Sequence, residues 1–207
     1  RDPEMSRGLG DVYKRQGVES AALDDVFEQV EFFVDAVSDY KSDFVLFPEY
    51  FNAPLMAKFN HLGEAQSIRG LAQYTEEIRE RFVNLAISYN INIITGSMPL
   101  LKEDGALYNV GYLIRRDGSY EMYEKVHVTP DEQKSWGLSG GKMVKTFDTD
   151  CARIGVLICY DVEFPELSRI MADQGMQILF VPFLTDTQNG YSRVRVCAQA
   201  RAIENEC

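Results

Sequence analysis

The chain has 207 residues, a formal net charge of -11 and 45% hydrophobic residues. That length fits one domain or part of one, and the apolar share is that of a globular protein, too high for disorder. The acidic balance opposes a nucleic-acid surface, and no apolar run approaches the roughly 20 residues that a membrane span needs.

Residues 1–16, RDPEMSRGLGDVYKRQ, carry no hydrophobic period and read as a non-native, adapter-like tail. Residues 17–207 read as a partial domain cut at both ends, since the closing ARAIENEC stops inside a helical pattern without a cap. Leu23, Val26, Phe27, Val30, Phe33, Val34 and Val37 recur at helical spacing and mark an amphipathic helix. DFVLF is then a short buried strand ending at Pro48. Leu71, Tyr74, Ile78, Phe82, Leu85 and Tyr89 form a second helical stripe, followed by the strand INIITG. ALYNVGYLI and SYEMYEKVHV flank the Asp-Gly turn RRDG and predict a hairpin. MVKTFDT and ARIGVLIC predict a second pairing across Asp150. A helix follows from about Pro165 to Gln174, with proline suited to its first turn and Gly175 to its C-cap. The strand QILFVPF and a helix from about Ser192 complete the pattern. Helices alternating with strands, plus hairpins, argue for a layered α/β sandwich with a mixed sheet.

Cys151, Cys159, Cys197 and Cys207 form no CxxC pair, and two histidines are too few for an evident zinc site. The thiols read as reduced and the chain as cytoplasmic. Three reactive residues each follow an apolar strand: Glu49 after VLFP, Lys125 in YEKVHV and Cys159 at the end of VLIC. In α/β architectures such groups gather where the sheet stops and a pocket opens. A thiol needs a base to become a nucleophile, and a carboxylate serves. The oxyanion formed when a thiolate attacks an amide is stabilised by an ammonium and by a backbone N–H after the cysteine. The leaving nitrogen takes its proton from the same carboxylic acid.

These residues resemble the catalytic Glu-Lys-Cys set of the nitrilase superfamily, the carbon–nitrogen hydrolases. FPEY is similar to its glutamate motif, YEKVH to its lysine motif, CYDVEFPEL to its cysteine motif, and ARAIEN to a further segment downstream. The resemblance covers residues from about 20 to 207, and the four motifs occur in the family's order. VHVTPDEQKSWGLSGG and FLTDTQNGYSRVR further resemble the branch sometimes fused behind an acetyltransferase-like domain. Glu163 stands where the family often has arginine, and FLTD replaces the usual small residues after the next strand's proline. These departures bear on substrate more than on reaction type.

The resemblance implies an α-β-β-α sandwich and a hydrolase that cleaves a non-peptide carbon–nitrogen bond, amide or carbamoyl, through a thioester on Cys159. Glu49 is the expected base, Lys125 the oxyanion partner with the backbone N–H of Tyr160, and Glu132 the residue that positions substrate and lysine, with Asp131 as the neighbour one register away. No metal or organic cofactor is implied, the partner is a small-molecule amide, and a homodimer or larger assembly is expected of the parent. The plainer readings are a space-filling Cys159, a solvated Glu49, a Lys125 on an open hairpin face and a loop Glu132 in water. His127 as a base for Cys159, a binding or scaffold domain without activity, and a thiol redox module are the competing classes. An activated Cys159 is expected to alkylate far ahead of the other thiols near pH 7.

Overall fold

The computed structural model describes residues 22–207, so the adapter-like tail expected at residues 1–16 lies outside the described residues. Helix α1 (Leu23–Asp39) buries Leu23, Val26, Phe27, Val30 and Val34 on one stripe. Its entry is fixed by the Ala22 N–H donating to Asp25 Oδ2 at 2.8 Å, and Asp24 and Asp25 face the positive end of the helix dipole. The strand β1 (Phe44–Leu46) follows. The stripe expected as one helix from Leu71 is instead two helices, α2 (Glu64–Leu71) and α3 (Thr75–Tyr89), with the 3₁₀ turn Ala72–Tyr74 between them. The break sits where the buried Thr75 hydroxyl donates to the Pro99 carbonyl at 2.6 Å, a bond made to a strand rather than within the helix.

The first sheet also contains β2 (Asn92–Ile94), β3 (Met98–Leu101), β4 (Leu107–Ile114), β5 (Tyr120–Glu124) and β6 (Leu138–Ser139). The long strand β4 is its spine. It pairs antiparallel with β2 (Ile94 opposite Leu113) and β3 (Met98 opposite Val110) along one edge. Along the other it pairs antiparallel with β5 (Gly111 opposite Tyr123) and briefly parallel with β6. β1 extends the sheet parallel to β2. The expected hairpin is present, closed by Gly118 at φ 84°. Strand β3 has no counterpart among the sequence expectations. Between β2 and β3 the chain bends at Gly96, at φ 68°, where a Cβ would lie 2.0 Å from the Pro48 carbonyl oxygen. Only glycine permits that approach, and it brings the segment after β1 against the sheet.

The second sheet is β7 (Phe147–Asp148), β8 (Arg153–Val156) and β9 (Ile178–Phe180). β7 and β8 pair antiparallel across Asp150 as expected, and β8 and β9 pair parallel through helix α4 (Pro165–Asp173). Pro165 sits in the first turn of α4, and Gly175 follows it at φ 84°. Helix α5 (Gln188–Asn205) starts earlier than Ser192, because the Thr187 hydroxyl accepts the Gly190 N–H at 3.0 Å and caps it. The uncapped helical run expected through the last residues also stops short: Glu206 takes a left-handed conformation at φ 53° and ends α5 at Asn205.

The inner faces of the two sheets meet. Ile94, Leu113 and Tyr123 pack with Phe147, Ile154, Val156 and Ile158, and the rings of Phe44 and Phe180 lie 5.1 Å apart. Each such side chain fully buried contributes about 1.5–3 kcal/mol. On the outer face of the first sheet, Val30 and Val34 of α1 and Ile78 and Phe82 of α3 cover Ile93. Outside the second, Leu167 and Met171 of α4 pack with Leu157 and Met176. The result is an α-β-β-α sandwich. Among the described residues no helix is long and apolar enough to cross a membrane.

Three strands end sooner than the sequence suggests. β1 stops at Leu46, β5 at Glu124 and β8 at Val156, so Glu49, Lys125 and Cys159 lie just past the strands rather than within them. Tyr50 and Cys159 then adopt positive φ values of 51° and 48°. Such conformations cost of order 1–3 kcal/mol each, and the surrounding contacts must hold them.

Candidate active site

Glu49, Lys125 and Glu132 converge with Cys159 between the ends of the two sheets. Glu49 is 3%, Lys125 1%, Glu132 7% and Cys159 8% exposed, which removes the readings that leave the first three in water. Lys125 Nζ donates to Glu49 Oε1 at 2.8 Å and to both oxygens of Glu132 at 2.8 Å each. One ammonium is therefore shared by two buried carboxylates. Burial works to lower its pKa, but the charges of Glu49 and Glu132 outweigh that and raise it. Lys125 is a fixed cation.

Glu49 is held on every side. Asn109 Nδ2, from β4, donates to Oε1 at 3.0 Å, and the Leu184 N–H donates to Oε2 at 3.1 Å. Burial raises its carboxyl pKa, and the Lys125 charge offsets only part of that rise. Glu132 opens a single π-type turn, Glu132–Trp136, directly after Asp131. The Thr129 N–H donates to Glu132 Oε2 at 2.7 Å, and the Glu132 N–H donates back to Thr129 Oγ1 at 3.2 Å. The Tyr50 hydroxyl adds a bond to Oε1 at 3.1 Å. It is thus Glu132, not the exposed Asp131, that meets the lysine.

Cys159 opens the 3₁₀ turn Cys159–Glu163. Its N–H donates to the Pro182 carbonyl at 2.9 Å, and its thiol donates to the Leu184 carbonyl oxygen at 3.8 Å, in the residue whose N–H bonds Glu49. Burial, with the Glu49 charge added and Lys125 opposing, pushes the thiol up to about 12. Burial thus works against the activated thiol expected from the sequence, and the Lys125 charge works for it. The Tyr160 N–H follows in the same turn and has no acceptor among the described residues.

His127 does not face the thiol. Its Nδ1 is 3.0 Å from Asp161 Oδ1, and its ring stacks on Phe164 with centroids 3.7 Å apart. Cys151, Cys197 and Cys207 have no part in the cluster, and all four cysteines are free. Four contributors were not singled out from sequence: Asn109, Tyr50, Asp161 and the Leu184 backbone. An asparagine inside the apolar run ALYNVGYLI was a visible signal for the first. Tyr50 and Asp161 stand inside the quoted motifs, but their partners lie 82 and about 34 residues away along the chain. The Leu184 contribution is backbone alone and leaves no mark in side-chain pattern.

Comparison with known proteins gives the family. The family description "Carbon-nitrogen hydrolase" matches residues 15–207. The chain is 48% identical over 185 residues to "Probable hydrolase YhcX" of Bacillus subtilis, covering 89% of this chain and 36% of that protein. It therefore spans about a third of that relative's length. It is 31% identical to "Omega-amidase NIT2" of Homo sapiens, covering 91% of this chain and 68% of the human one. Among solved structures, a carbon-nitrogen hydrolase from Helicobacter pylori G27 superposes with a TM-score of 0.75 at 22% identity, over 90% of this chain and 68% of that one. Nit3 of Saccharomyces cerevisiae, described as a member of the nitrilase superfamily, superposes with a TM-score of 0.70 at 25% identity, over 90% and 69%. By sequence and by fold, the chain belongs to the carbon–nitrogen hydrolase family, the nitrilase superfamily.

Proposed function

We propose that the chain carries the catalytic centre of an amidase that hydrolyses small non-peptide amides or carbamoyl compounds through a thioester on Cys159. Glu49 accepts the thiol proton as Sγ attacks the carbonyl carbon. Burial disfavours a free thiolate, so the transfer accompanies the attack. The carbonyl oxygen gains negative charge and meets Lys125 Nζ and the Tyr160 N–H, donors already in place. Glu49, now a carboxylic acid, gives its proton to the departing nitrogen, and the C–N bond breaks. Glu49 then takes a proton from water as the oxygen attacks the thioester, and the thiol regains a proton as the acid leaves. Glu132 takes no part in these proton transfers. It holds the ammonium in line with Glu49, and Tyr50 and Thr129 hold Glu132.

The observation that carries this reading is the ammonium shared by Glu49 and Glu132 at 2.8 Å, with the buried Cys159 thiol close enough for both Glu49 and Lys125 to act on its charge. A space-filling cysteine needs none of these partners. The relatives named omega-amidase and deaminated glutathione amidase favour amides as substrates. The test is ammonia release across ω-amides, carbamoyl amines and short aliphatic amides. The wild type is expected to turn over at least one class, and Cys159→Ser to abolish release with the far-UV signal kept. Full activity in Cys159→Ser would remove the mechanism.

A further inference from the structure

Asp161 is almost wholly buried, and nothing in the reaction above uses it. It lies two residues after Cys159, in the same 3₁₀ turn. Its carboxylate faces the two residues that follow Lys125. The Val126 N–H donates to Oδ2 at 3.1 Å, the His127 N–H to Oδ1 at 2.7 Å, and His127 Nδ1 lies 3.0 Å from the same Oδ1. β5 ends at Glu124, so these N–H groups have left the strand ladder. A side chain from the cysteine segment takes the ladder's place. On the other side of the same peptide, Gly141 N–H donates to the Lys125 carbonyl at 2.7 Å, and the Lys125 N–H donates to the Asn109 carbonyl at 2.9 Å. The stack of His127 on Phe164 is a second link between the same two segments.

We infer that Asp161 is a positioning residue that ties the backbone after Lys125 to the turn that begins at Cys159, and so sets the ammonium in register with the sulfur. The inference rests on the hydrolase reading given above. Lys125 belongs to the first sheet's side of the site and Cys159 to the second's. A carboxylate accepting two consecutive N–H groups joins the two backbones directly, where side-chain bonds alone leave each segment free to shift. Misplacement of a reacting group by about 1 Å costs on the order of a hundredfold in rate. Asp161→Asn keeps the shape but turns one acceptor oxygen into an NH₂ facing an N–H donor, so one bond is lost and the charge removed.

The test is a double-mutant cycle with Lys125→Ala, read in ammonia release, together with amide hydrogen exchange. Asp161→Asn is expected to lower kcat about ten- to a hundredfold with KM little changed. In the Lys125→Ala background the same change is expected to cost little more, because the group being positioned is gone. Exchange at Val126 and His127 should accelerate while Tyr123 in β5 stays protected. Equal losses in both backgrounds, or unchanged exchange, overturn the inference and leave Asp161 as part of the scaffold. If Asp161→Asn does not fold, His127→Ala carries the same cycle: it removes the side-chain donor and keeps both backbone bonds, and a smaller loss confined to the Lys125 background is expected. Faster exchange in a protein whose wild type releases no ammonia from any amide has a different meaning. That pattern removes the reaction and leaves the tie between the segments standing.

Discussion

Lys125 divides its ammonium between Glu49 and Glu132, and the proposed reaction gives the two carboxylates different duties. In that reaction the cation supports an oxyanion that forms only as the carbonyl is attacked. Lys125→Ala is therefore expected to lower kcat by about 10² or more, with little change in substrate affinity. A loss confined to affinity would make Lys125 a substrate anchor instead. Glu49 must be ionised to act as base, and burial raises its pKa above 4.5. The acid limb of kcat/KM is expected above the ordinary carboxylate value, measured as an apparent pKa from rate against pH. Cys159 titrates on the other side. Its folded pKa of about 12 stands above the 9.0 of a free thiol, so the unfolded chain ionises first as pH rises. Its contribution to stability is present below pH 9 and is lost as the pH climbs toward about 12. Urea denaturation across that window should show the wild type losing stability relative to Cys159→Ser. Cys159 is 8% exposed, so iodoacetate near pH 7 is expected to reach it more slowly than the exposed Cys151.

The elements deliver these residues by stopping early and turning sharply. Glycines at two crossings make the turns possible. At Gly111 on β4, a Cβ would meet the Gly96 carbonyl oxygen at 2.2 Å and the Tyr123 ring at 2.4 Å. Tyr123 donates its hydroxyl to that same carbonyl at 2.6 Å, so neither neighbour can retreat. Gly111→Ala is expected to lower Tm by several degrees, in line with about 1–3 kcal/mol for overpacking, checked by thermal denaturation. Most elements were legible because their apolar period survives in the sequence: Leu23 to Val37 for α1, the Asp-Gly turn for the hairpin, Pro165 and Gly175 for the ends of α4. β3 was not, because Pro99 argues against a strand. The proline is tolerated since β3 lies at the end of its sheet path and pairs with β4 alone. The break at Thr75 was hidden for another reason. A 3₁₀ turn preserves the apolar stripe while changing the hydrogen bonds beneath it.

Across the whole molecule, the site exists only because the two sheets are pressed together. The first supplies Glu49, Lys125, Glu132 and Asn109, and the second supplies Cys159 and Leu184. Ile154 lies fully buried at that junction, beside its cross-strand neighbour Phe147 in the cluster that joins the two sheets. Ile154→Ala is expected to cost about 2–5 kcal/mol of stability in urea denaturation. Sequence could point to Glu49, Lys125 and Cys159 because each follows an apolar strand. Choosing Glu132 over Asp131 needed the resemblance, and Asp161 needed the fold, since its partners come from the opposite sheet. The proposed reaction turns on a covalent step at one sulfur. Intact-mass and peptide analysis of the reaction quenched early, with an amide that the protein turns over, reads that step directly. An acyl mass on Cys159, appearing with one equivalent of ammonia per chain and persisting longest in Glu132→Gln, is the expected result. Ammonia released with Cys159 unmodified throughout, or an adduct that accumulates in Glu49→Gln but not in Glu132→Gln, would contradict it.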